Sequence, residues 1–189
     1  MGIDKVFTAI SEGNVCALTR ELEKNPRLVN GYILLRWTVM HEAASRGHAS
    51  IIDVLVQFGN TTIDALTPCK KTPMYIAACR GHLSVIEALV RLGSTSIDAP
   101  DMRGESPLYL ALKRGKWDRV ELLRILGANC SIPQLSLLTE EQRSHLDEPL
   151  DENESAEILY RVYFDRSCVS RLLFHLDTVK RPSFPSIRY

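Results

Sequence analysis

No apolar run in this 189-residue chain approaches the length of a membrane span, and its first residues carry no signal-peptide core. Val6 stands where an N-myristoylation signal needs Ser or Thr. A cytoplasmic protein without membrane contact is the expectation. Excess charge of one sign is also missing: 23 Lys and Arg balance 23 Asp and Glu, which leaves no footprint for nucleic acid. The five cysteines (Cys16, Cys69, Cys79, Cys130, Cys168) are odd in number and widely scattered. They outline neither a disulfide framework nor a zinc knuckle, and they point to a reducing compartment. Neither a Gly-rich phosphate loop nor a Gly-Lys-Ser/Thr sequence occurs. His145 and His175 stand apart, with no cysteine or carboxylate at ligand or dyad spacing. The expectation is a protein that is not an enzyme and holds no metal or cofactor.

What the chain does have is one pattern written three times at a spacing of 34 residues between Thr38 and Asn129. Gly47, Gly81 and Gly115 are evenly spaced, as are Gly59, Gly93 and Gly127. A period in this range marks a solenoid of stacked units. The middle copy shows how one unit is built. Thr72 can cap a helix whose first position suits Pro73, where the missing N–H is harmless. Ala77 and Ala78 keep that helix thin, so a neighbouring helix can approach. Gly81 supplies a positive φ for the turn. Val85, Ile86, Leu89 and Val90 then give a second helix an apolar stripe. Ser94 to Asp98 leads into an extended finger. One unit cannot bury its stripe alone, so stability becomes roughly a sum over units and their interfaces.

These residues make the chain resemble the ankyrin repeat family. The family's Thr-Pro-Leu-His-x-Ala-Ala start is similar to Thr38-Val39-Met40-His41-Glu42-Ala43-Ala44 and to Thr72-Pro73-Met74-Tyr75-Ile76-Ala77-Ala78, and its Gly-His turn to Gly47-His48 and Gly81-His82. The resemblance implies an all-α fold, an ankyrin-repeat solenoid of helix-turn-helix plus finger units, with structural roles for His41, His48 and His82. Four repeats are expected, over 3–34, 35–69, 70–103 and 104–131, the first degenerate. Each finger is one residue longer than usual in the family, and Arg36 and Lys70 replace its turn glycine. Beyond the repeats, 132–154 reads as an acidic linker or short helix, 155–179 as C-terminal helices and 180–189 as a disordered tail. Trp117 is expected in the core. Arg119 and Arg124 interrupt the apolar stripe of the fourth unit, as suits a terminal unit facing water.

The resemblance also implies a partner-binding concave face, made of finger tips and the ends of first helices. On this sequence that face would carry Trp37, Ser45, Arg46, Lys71, Cys79, Arg80, Met102, Arg103, Glu105, Lys113 and Arg114. Arg46, Arg80 and Arg114 recur in register, and guanidinium groups in a row suit carboxylates or phosphates. The expected partner is therefore another protein with an acidic or phosphorylated surface, bound by a monomer. Trp37 fits either a contact anchor or core beneath the neighbouring finger. Cys79, beside Arg80, is a candidate for a lowered thiol pKa. Residues 139–157 carry eight acidic residues against Arg143, a balance of −7, while 1–138 hold sixteen basic and thirteen acidic, a balance of +3. An acidic strap over the basic face would compete with partners. A second functional reading is an adaptor whose residues 133–189 dock onto larger machinery such as a ubiquitin ligase, through the stretches Pro133–Leu138 and Pro182–Pro185.

Overall fold

The computed structural model describes residues 2–32 and 36–164. The expectations placed on Cys168, His175, the helix content of 165–179 and the tail 180–189 fall outside the described residues.

Eleven α-helices and no strand occur among the described residues. They begin as antiparallel pairs: α1 (Gly2–Ser11) with α2 (Val15–Lys24), α3 (Val39–Arg46) with α4 (Ala49–Gln57), α5 (Pro73–Arg80) with α6 (Leu83–Arg91), and α7 (Pro107–Lys113) with α8 (Trp117–Ile125). First helices pack on first helices, α1 on α3, α3 on α5 and α5 on α7; α2 packs on α4 and α4 on α6. The result is two layers joined unit by unit.

Each start obeys the capping logic. Thr38, Thr72 and Ser106 are extended, and their hydroxyls accept from the backbone N–H of His41, Tyr75 and Tyr109 at 3.2, 3.0 and 3.3 Å. Ala43, Ala44, Ala77, Ala78 and Ala111 are buried between first helices, which is why the layer closes tightly. Behind them Ile51, Ile52 and Leu55 of α4 and Val85, Ile86 and Leu89 of α6 are fully buried. Cutting any of these leucines or isoleucines to Ala would cost about 2–5 kcal/mol.

After α8 the chain turns through α9 (Ile132–Ser136), α10 (Glu140–Asp147) and α11 (Glu152–Phe164). Thr139 caps α10 in a box with Gln142, the two bonds measuring 3.2 and 3.0 Å. Helix α10 lies against α7, and α11 crosses α8 and α6. Ile158 and Val162 are buried there, and Arg161 pairs with Glu87 of α6. This overturns the strap over the concave face: the ordered part of the acidic segment lies on the end and second-helix side of the stack. It also changes the reading of the fourth unit. Leu122 and Ile125 are buried as well as Val120 and Leu123, because the appendage covers the side that water was expected to wet. Arg124 does not face solvent freely; it donates to the carbonyls of His145 (2.9 Å) and Glu148 (2.8 Å) at the end of α10.

Candidate functional site

The inner surface is bounded by the C-terminal ends of α3, α5 and α7 and by the fingers that precede them. Its backbone is locked by bonds between neighbouring units. His41 accepts the Thr38 N–H at Nδ1 (3.2 Å), so its proton sits on Nε2, which donates to the Lys71 carbonyl of the next finger (3.2 Å). Burial lowers the pKa of His41, against the pull of that carbonyl. Tyr75, one unit on, donates its hydroxyl to Asp101 (3.0 Å). Burial would raise the Asp101 carboxyl, but the N–H groups of Arg103 and Glu105 and the Tyr75 hydroxyl outweigh it and hold the pKa low.

A second set of bonds crosses the turns. His48 donates to the Ser11 carbonyl at 3.4 Å and His82 to the Ser45 carbonyl at 3.1 Å. The fourth unit has Lys116 where histidine would stand, and Arg119 takes over, donating to the carbonyls of Cys79 (2.9 Å) and Ala78 (3.3 Å). Arg119 is thus a structural clamp and not a surface charge.

A third set, missed in the sequence, joins the far ends of the units. Asn30, Asp64 and Asp98 are spaced by 34 and accept the backbone N–H of Thr61 (2.9 Å), Thr95 (3.0 Å) and Asn129 (2.7 Å). The signal was present as a second 34-residue series of short polar acceptors. It sat in the stretch read only as an extended finger.

Against this frame the expected contact residues divide. Arg80, Met102, Arg103 and Arg114 are exposed, Met102 most of all at 64%. Arg80 also donates to the Ser45 carbonyl at 2.9 Å. Arg46 is exposed but paired with Glu42 at 2.8 Å, and Lys113 with Glu105 at 2.7 Å. Lys71 lies over the Tyr75 ring, 5.5 Å from its centre. Ser45 is a correction: at 3% exposure it is inside the stack, and its carbonyl serves Arg80 and His82. Cys79 is another, since burial pushes its thiol up in spite of Arg114 and Lys71 nearby. Trp37 stacks on His41 and donates to Glu42 at 2.9 Å, half-buried against the core. That geometry favours its packing role over a free anchor.

At the far end, Trp117 is not core: it is 39% exposed and lies on the His145 ring, with centroids 3.7 Å apart. His145, read as isolated, faces the Glu148 carboxylate at 3.0 Å. The stretch suggested as a docking box is partly consumed by packing. Gln134 is buried, accepts from Ser106 at 2.9 Å and donates to the Gly104 carbonyl, and Leu138 is buried too. Among the described residues no cluster of His, Cys, Asp or Glu is placed to hold a metal, and no helix is long and apolar enough to cross a membrane.

Comparison with protein families gives a match to the model for ankyrin repeats (3 copies), over residues 6–101 and 40–134. The chain belongs to the ankyrin repeat family. Comparison with curated proteins gives no match. Ankyrin repeats are generally protein–protein interaction modules, and the match begins at residue 6, within α1. The degenerate first unit is accordingly part of this ankyrin stack, joined to the second by the same kinds of bond.

Proposed function

We propose that this ankyrin repeat protein is a non-enzymatic interaction module that binds an acidic or phosphorylated surface of a partner protein along its concave face. The observation that carries the reading is the state of the cations there. Arg80 and Arg114 stand exposed in register at the ends of α5 and α7, and neither has a carboxylate partner among the described residues. Lys71 also lacks one. The nearby acids are already committed, Glu42 to Arg46 and Trp37, Glu105 to Lys113, Asp101 to backbone N–H groups and Tyr75. Anionic groups of a partner would complete the unmatched guanidinium groups, and a frame fixed by unit-to-unit bonds loses little entropy on binding.

The test is affinity capture by the unaltered chain and by R80E/R114E, with quantitative mass spectrometry of the captured proteins. Both positions are exposed, so both chains should melt alike. Partners held by the concave face should be lost from the reversed chain; retention of all of them would sink the reading.

A further inference from the structure

The fingers hold a feature the helix ends do not. In two of them an exposed apolar residue is followed four positions later by an exposed cation: Tyr32 with Arg36, and Leu66 with Lys70, each pair 34 residues from the other. The third finger sets exposed Met102 beside exposed Arg103. None of the three cations makes an ion pair among the described residues. Arg36 and Lys70 have φ of 61° and 56°, a region that disfavours any side chain, and the third finger uses Gly104 at the same position. Glycine would serve the fold better at Arg36 and Lys70.

We propose that the finger tips form a recognition strip for an extended segment of a partner protein in which carboxylate and apolar side chains recur every third residue. The inference rests on the reading of the chain as a protein-binding module. Stacked helices lie about 10 Å apart, and an extended chain rises about 3.3 Å per residue, so three residues span one unit. Each finger offers one unpaired cation and one apolar side chain. A single cation per step matches a carboxylate of charge −1. A phosphate, with up to two charges and three acceptor oxygens, calls for donors clustered at one point.

The experiment titrates the full chain with labelled twelve-residue peptides, read by fluorescence anisotropy at two salt concentrations. The probes are four repeats of Glu-Leu-Ser, the same residues regrouped into blocks, four repeats of Lys-Leu-Ser, and the first peptide with phosphoserine for Glu. The first should bind, weaken with salt, and exceed the blocked peptide at least tenfold; the lysine peptide should not bind. The variant R36G/K70G should melt no earlier than the unaltered chain, since glycine accepts the positive φ, yet bind the first peptide at least tenfold more weakly. No binding, equal binding of the blocked peptide, an unchanged R36G/K70G affinity, or a tenfold preference for phosphoserine would each overturn the strip. If R80E/R114E loses its partners while the peptide does not bind, the strip alone fails. If neither surface affects any partner, the protein-binding reading fails with it.

Discussion

The helix turns and the finger tips ask for the same backbone and solve it differently. Gly47 and Gly81 sit at φ of 82°, in the left-handed region, and so do Arg36 and Lys70. At the turns a side chain is barred twice over. A Cβ on Gly47 would come within 2.6 Å of the His82 ring, and one on Gly81 would collide with the Arg119 guanidinium. At the corresponding finger position, Gly104 has nothing within 4 Å. There the only cost is the backbone strain of a non-glycine residue, about 1 kcal/mol. The turns are therefore fixed by packing between units. The tips are open to whatever their exposure makes useful.

The largest expected effect tests the packed half of that comparison. Gly81→Ala adds strain and a clash with Arg119, and should destabilise the chain by about 3 kcal/mol in urea unfolding. A loss under about 1 kcal/mol would mean that Arg119 moves aside freely. Next comes the far-end ladder: Asp64→Ala removes the acceptor of Ser94 Oγ and of the Thr95 N–H and hydroxyl, for about 2 kcal/mol. Burial would raise the Asp64 carboxyl, but those bonds prevail and its pKa is lowered. Its contribution is thus present above the ordinary value of 3.8 and lost as pH falls through the folded value. Denaturation midpoints of Asp64→Asn should show a shallower acid loss than those of the unaltered chain.

His41 gives a milder pH effect of the same sign at higher pH. With its folded pKa below 6.5, the unfolded chain binds the proton first, so stability is full above 6.5 and falls on acidification toward the folded value. Replacing His41 with Gln should flatten the urea midpoint between pH 7.5 and 5.5; an unchanged slope would place the dependence on another group. The smallest effect sharpens the open half of the comparison. Arg36→Gly and Lys70→Gly, singly, should raise stability by about 0.5–1 kcal/mol in urea unfolding. A destabilisation by either would show that these side chains hold their fingers in place.

The stack was legible in the sequence because each unit is assembled from neighbours in the chain. Thr38, Pro73, Gly47 and the alanine pairs act within a few residues, so caps, turns and thin helices could be read locally and the period could do the rest. The candidate surface was legible as a set of positions: Arg80, Arg114, Met102 and Arg103 are exposed as expected. Less legible was which of those groups is already spoken for. Ser45 is buried by Arg80 and His82 from the following unit, and Arg46 is neutralised by Glu42 one turn away in its own helix.

By itself, then, the sequence determined the all-α class, the 34-residue period, the helix boundaries set by caps and glycines, and the line of first-helix ends available to a partner. Tertiary structure alone decided that Arg119 replaces a histidine clamp, that Trp117 meets His145 of the appendage, and that α10 and α11 cover the end and second-helix side while leaving the concave face clear. The physical reason is range. Propensity and periodicity act along the backbone over a few residues. The partners of Arg119, Trp117 and Arg124 lie 21 to 41 positions away, and which group satisfies them depends on how whole layers stack.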